Sequence, residues 1–295
     1  MPLPYTSLNP NRSKAKGCAP HKPLLLLCIL DMADSGELDP PLLCKTPGLR
    51  LRFDAYWAIC QPRWGGLPGL NQPFHYLSSQ GFWTTQTKEG APSRTDRSTH
   101  YVEFCPEFIE DLTDTGKRDQ IRRILVETWF PEPEQRALYA AFGWSSAKLA
   151  QIEWKEAVNE DAEATGRDAN FRVRVVTQYQ FTCALTGYGL HTQNGHALVE
   201  AAHIHQFAKS RNNHPNNGLA LTRDAHWMFD KGLWTVSDDL HVLVADSIFK
   251  EWGPEVQWLK ARHQQPVIFH TNSQLRPAPK HLEWHRTHVF NSMDN

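Results

Sequence analysis

The chain has 295 residues, 40% hydrophobic and 21% charged, with 11 tryptophans and a net charge of −1. This is a globular composition, long enough for one large or two ordinary domains. It excludes a transmembrane helix, because the longest apolar run, "PLLLLCIL", falls well short of the roughly 18 residues a span requires, and it excludes any partner that must be held by bulk charge.

The N-terminus "MPLPYTSLNPNR" has no apolar signal core. The six cysteines (Cys18, Cys28, Cys44, Cys60, Cys105, Cys183) are scattered, and no two form a CxxC pair. They read as reduced thiols of a cytoplasmic protein. A structural zinc site is not expected, since Cys183 is followed at +3 by Thr186. Charge is unevenly spread. Residues 1–100 carry 11 Lys/Arg against 7 Asp/Glu, 101–165 carry 7 against 14, and 166–295 carry 13 against 11. Twelve of the 15 histidines follow residue 165. The two ends therefore differ in chemistry, and the acidic middle reads as a connector.

In chain order, "HKPLLLLCILDMADSG" reads as a helix opened near Pro23 and closed by Gly36. "LRLRFDAYWAICQPRW" reads as the end of a strand and then a helix. "QPFHYLSSQGFWTTQ" has no clean period. "GKRDQIRRILVETWF" has helical spacing and is stopped by the "PEP" at 131–133. "EQRALYAAFGW" and "SAKLAQIEWKEAVNEDAEATG" read as linker helices. "RDANFRVRVVTQYQFTC" places Phe171, Val175 and Tyr179 on one helical face. "HALVEAAHI" reads as a short strand, "RDAHWMFDKG" as a helix closed by Gly232, and "LWTVSDDLHVLVAD" as two strands around a turn. The fold class is thus α+β, with a mixed helical domain at 1–130, a helical linker at 131–165 and a second domain at 166–295.

The chemistry concentrates in "EAAHIHQFAKSRNNHPNNGLALTRDAHWMFDKG", residues 200–232. His203 falls at the end of a strand. Asn217 lies in a turn-rich loop, where its amide can bond backbone across the loop. His226 and Asp230, four apart, share one face of a helix. An imidazole and a carboxylate on one face suit a divalent cation, Mg²⁺ or Mn²⁺ first and Zn²⁺ next. His203 can take a proton from water near neutral pH.

Residues 167–290 resemble bacterial HNH restriction-type endonucleases of the ββα-metal fold, through "RDANFRVRVVTQYQFTCALTG", "VEAAHIHQF", "NNGLALTRDAHWMFDKGLWTVSDD" and "RPAPKHLEWHRTHVF". The resemblance implies that His203, Asn217 and His226 are the eponymous residues. His203 would activate water, His226 and Asp230 would hold the metal, and Asn217 would orient the loop. Many members carry an Asp or His just before the base, where this chain has Ala202. Glu200, on the same strand face as Ala202, is then the further candidate ligand. Lys209, Arg211, Arg223 and Lys231 are candidates for flanking phosphates.

In the N-terminal part, "NRSKAKGCAPHKP" holds Arg12, Lys14, Lys16 and Lys22 with no acid, a candidate phosphate-binding arm. Residues 10–130 resemble the sulfur-binding domain of phosphorothioate-dependent restriction enzymes through "PHKPLLLL" and the block from "PF" to "GFW". In that family a His-Arg pair and a Tyr-Pro pair line a cavity for the non-bridging sulfur. The matching positions are His21, Lys22, Gln72 and Pro73, with Phe74 adding an apolar rim. Gln72 replaces an aromatic ring, and Tyr76 stands where a small residue is usual.

Together these readings predict a metal-dependent, modification-dependent DNA endonuclease that restricts foreign DNA in anti-phage defence. Its substrate is double-stranded DNA, phosphorothioated, otherwise modified or plain, and pairing of two copies would serve double-strand cleavage. The alternatives are a DNA-binding module made weak or inactive by Ala202, and a defence effector that degrades DNA indiscriminately.

Overall fold

The computed structural model describes residues 3–149, 152, 160–245, 247–252, 257–269 and 276–290. The chain divides into two compact units, Met1–Asn170 with Gln193–His196, and Phe171–Thr192 with Ala197–Asn295.

The first unit opens with a small hairpin, β1 (Arg12–Ser13) and β2 (Gly17–Cys18). In α1 (His21–Asp34), Leu24 through Leu30 are all fully buried. A helix apolar on every side belongs at the centre of a core, and the other elements pack around it. β3 (Leu42–Cys44) leads to α2 (Pro47–Trp64). The strand end expected over "LRLRF" is helical. Thr46 caps this helix by accepting from Leu49 N–H at 3.2 Å, and Pro47 fits the first turn. These start signals outweigh four alternating residues, and the buried Arg52 is satisfied by Asp31 and Glu37, both at 2.6 Å.

α3 (Asn71–Tyr76) and a 3₁₀ turn (Leu77–Gln80) supply the structure of the stretch that showed no period. β4 (Trp83–Gln86) and β5 (Tyr101–Phe104) complete an antiparallel sheet of order β3-β5-β4. α4 (Pro106–Thr113) and α5 (Thr115–Trp129) follow, with Arg118 and Arg122 of α5 both pairing with Asp34 of α1. α6 (Glu132–Ala141) packs on α2, where Glu134 meets Arg63 at 2.6 Å. Of the linker stretch from Ser146 to Gly166, α7 (Ser146–Leu149), Ile152 and the start of α8 (Glu160–Gln178) are described, and the remainder lies outside the described residues.

In the second unit, β6 (Glu200–His203) pairs antiparallel with β7 (Gly218–Leu221), joined by α9 (Phe207–Ser210) and a 3₁₀ turn (Pro215–Asn217). α10 (Arg223–Asp230) follows directly, giving a strand–strand–helix unit. Phe171 and Val175 of α8 and Tyr179 just beyond its end, the face predicted from sequence, are all buried. Gly218 allows β7 its close approach to them. A Cβ there would overlap Val175 Cγ2 and come within 3.0 Å of the Phe171 ring. A second hairpin, β8 (Trp234–Val236) and β9 (Val242–Val244), and α11 (Pro279–His285) close the unit. His285 pins these elements together. Thr235 Oγ1 donates to its Nδ1 at 2.8 Å, and its Nε2–H donates to the Phe229 carbonyl at 3.1 Å.

The six cysteines are free thiols. No helix among the described residues is long and apolar enough to cross a membrane.

Candidate active site

His203 ends β6 in a column of rings. Its imidazole lies parallel to Phe171, with centroids 3.9 Å apart and planes 7° apart, and Phe207 stands 5.4 Å away. The Arg211 guanidinium covers Phe207 at 5.6 Å. Asn213 Oδ1 lies 2.8 Å from His203 Nε2. An amide oxygen only accepts, so this contact places the proton on Nε2 and the lone pair on Nδ1. The sequence marked Phe171 as a core residue and Asn213 as loop. Their joint role on His203 depends on a contact across 32 residues and on the turn geometry, neither of which a local pattern carries.

Asn217 is fully buried and staples the loop. Its Oδ1 accepts from His205 N–H at 2.8 Å, and its Nδ2 donates to the carbonyls of His205 and Asn212 at 3.0 and 3.1 Å. All three bonds go to backbone, so the residue fixes loop shape. α11 braces the loop from outside. Asn212 Nδ2 meets His281 Nε2 at 3.2 Å, Ala278 N–H donates to the Asn216 carbonyl at 2.9 Å, and Trp284 stacks on His205 at 4.0 Å. This brace involves the C-terminal "RPAPKHLEWHRTHVF", of which the sequence showed only the resemblance.

His226, on α10, sits between two carboxylates. Its Nδ1 is 2.8 Å from Glu200 Oε1 and its Nε2 is 3.5 Å from Asp230 Oδ2. Arg223 Nε stands 3.8 Å from the other Glu200 oxygen. Glu200 and Asp230 lie on opposite ring nitrogens, and among the described residues no three His, Cys, Asp or Glu side chains gather as a metal cage. The donor set nonetheless fits a divalent cation on the Nε2 side. Two ligands that each sit about 2.1 Å from a shared ion are typically 3–3.5 Å apart, as Nε2 and Asp230 Oδ2 are. A carboxylate on the other ring nitrogen is the usual way to fix the tautomer of a ligating imidazole. Lys209 and Arg211 are exposed at the end of α9 and just beyond it.

In the first unit a cavity of about 470 Å³ is lined by Asn9, Pro10, Asn11, Ala19, His21, Lys22, Trp64, Gln72, Pro73, Tyr76 and Ser79. Five residues selected from sequence thus share its wall. His21 rests on Trp57 at 4.6 Å, and burial lowers its pKa, favouring the neutral ring. Lys22 Nζ donates to the carbonyls of Leu8 and Asn9 at 3.0 and 3.4 Å, and burial lowers its pKa as well. Phe74 is fully buried in the core, not on the cavity wall. Arg12, Lys14 and Lys16 are exposed on the β1–β2 hairpin, where Lys16 Nζ bonds the Trp64 carbonyl at 2.6 Å.

Residues 183–237 match the family model described as HNH endonuclease. This stretch, running through β6, the stapled loop, β7 and α10, is an HNH endonuclease domain. Among solved structures the chain is similar to one titled "Modification dependent TagI restriction endonuclease", with 20% identity and a TM-score of 0.34. That similarity covers 45% of this chain and 44% of the other, so the chain spans less than half of that structure. No curated protein matches the chain.

Proposed function

We propose that the chain is a divalent-metal-dependent, modification-dependent DNA endonuclease of restriction type. Residues 1–130 would read the DNA, 131–165 connect, and 166–295 cut. The observation that carries the reading is the pairing of an oriented imidazole, His203 on Asn213, with a carboxylate-flanked imidazole, His226, inside the stretch matching HNH endonucleases.

Hydrolysis of a phosphodiester needs an in-line water, a base to deprotonate it and positive charge near the phosphate. His203 Nδ1 takes the proton from water, and Asn213 holds the ring in the tautomer that can do so. His226 Nε2 and Asp230 would hold the cation, Mg²⁺ or Mn²⁺, with Glu200 orienting the His226 ring from Nδ1. A cation held there would supply positive charge beside the phosphate and the leaving oxygen. Asn217 keeps the loop between the two imidazoles in one shape. Lys209 and Arg211 contact flanking phosphates.

The reader is the cavity of His21, Lys22, Gln72, Pro73 and Tyr76. A neutral His21, tryptophan and proline beside one cation suit a charged group that is large and weakly hydrated, which favours a phosphorothioate over an ordinary phosphate. The nuclease assignment is tested by plasmid cleavage. EDTA is expected to stop it, Mn²⁺ to restore it, and His203→Ala to lower the rate by about 10²–10⁴. Undiminished turnover by His203→Ala removes the assignment.

A further inference from the structure

α10 buries Ala225 and Phe229 and turns its opposite face outward. On that face stands Trp227, 59% exposed, on the same helix as His226. Tryptophan carries one of the largest apolar surfaces of any side chain, and the fold leaves most of this one in water. Cations stand four residues away on either side of it. Arg223 lies four residues before it with its side chain 89% exposed, and Lys231 lies four residues after it, also exposed. Between Glu200 and Asp224 the chain adds Lys209, Arg211 and Arg223 and no further acid. Two exposed acids also lie at three-residue spacing from Trp227, Asp224 before it and Asp230 after it, and Asp230 is directed at His226 Nε2.

We propose that Trp227 is a DNA-contacting residue of the nuclease domain. Its indole lies against the sugar and base edges beside the scissile phosphodiester, with Arg223 and Lys231 on phosphates to either side. The proposal rests on the reading of His203 and His226 as the cutting site. Its chemistry is that of an aromatic face bracketed by cations, which suits a nucleic acid and ill suits an apolar protein partner. The scale agrees. Residues 223 and 231 are about 12 Å apart along the helix axis, enough to cover three to four phosphates of one strand at about 3.4 Å per step.

The test is a salt-controlled titration of a plain duplex with the full chain carrying H203A, alone and combined with W227A, W227F, R223A or K231A. W227A is expected to weaken binding about tenfold and leave the salt slope unchanged, because an indole releases no counterion. W227F should retain most of the affinity, whereas R223A and K231A should each lower the slope by about one phosphate contact. In chains with His203 intact, W227A should raise KM more than it lowers kcat. Equal affinity with and without W227A overturns the proposal and leaves the indole to some other partner. A fully active H203A instead sinks the underlying nuclease reading, and an inactive H203A with undiminished W227A affinity sinks this inference alone. Trp227 is exposed, so an unchanged melting temperature verifies that W227A folds.

Discussion

In the proposed role of His203 as base, two neighbours matter more than its own position. Phe171 fixes the plane of the ring, and Asn213 fixes which nitrogen carries the proton. Asn213→Ala is therefore expected to leave DNA binding intact and to lower kcat by about tenfold to a hundredfold, since small losses of orientation are costly. Single-turnover cleavage measures this, and an unchanged rate assigns Asn213 to loop structure only. His226 follows the same logic with a carboxylate. Glu200→Gln weakens the acceptor on Nδ1 without emptying the position, so Mn²⁺ affinity measured by calorimetry should fall about 10- to 100-fold. Asp230→Ala should fall further, because Asp230 is the proposed carboxylate ligand. If Glu200→Gln binds Mn²⁺ as well as the parent, Glu200 does not orient the ring. At this scale the sequence displayed His203, Asn217, His226, Glu200 and Asp230 by residue type and spacing. It hid Asn213, because one asparagine among the four of "NNHPNN" has no local mark that distinguishes it.

The elements show why the site holds its shape. "NNG" reads as turn chemistry, and Gly218 could pass for a turn glycine. Its φ of −133° is ordinary for any residue, so its reason lies elsewhere. Gly218 is the cross-strand partner of His203, and its missing Cβ leaves room for Phe171 and Val175 of α8. Gly218→Ala should accordingly push α8 away from β7, costing about 1–3 kcal/mol of stability by overpacking and loosening the ring column at His203. Thermal unfolding and cleavage rate should fall together, and a variant with parental melting temperature and rate contradicts the packing argument. The periodic elements α1, α5, α8 and α10 were legible because each buries a face or a whole circumference. The start of α2 was misread because a short Leu-Arg alternation imitates a strand, while the ion pairs that let Arg52 be buried lie 15 and 21 residues away.

For the whole molecule, the histidines set a dependence on pH. Burial pushes the pKa of His285 down to about 3 and that of His281 to about 4, the latter helped by Lys280, His205 and His214. Both rings are neutral in the fold but protonate near the ordinary histidine pKa once unfolded. Between that value and about pH 4, the unfolded chain binds more protons, so stability rises with pH through this window. It is fully present above the ordinary pKa and is lost on acidification, by up to about 1.4 kcal/mol per pH unit for each ring. Denaturant unfolding at pH 7, 6 and 5 measures the slope, which His285→Gln should reduce. A slope identical in the variant places the dependence elsewhere. The proposed reader cavity and the proposed cutting site were both visible in the sequence mainly as resemblances. The cavity needs residues 9–11, 19, 21, 22, 64, 72, 73, 76 and 79 brought to one wall, which only the tertiary fold accomplishes. In the proposed function, cutting depends on DNA modification. Its most direct test is cleavage, in Mn²⁺, of matched duplexes that are plain, phosphorothioated or base-methylated, by the native chain and by His203→Ala. Preferential cleavage of a modified duplex, phosphorothioate foremost, that disappears with His203→Ala is the predicted result, and equal cleavage of all three duplexes would contradict it.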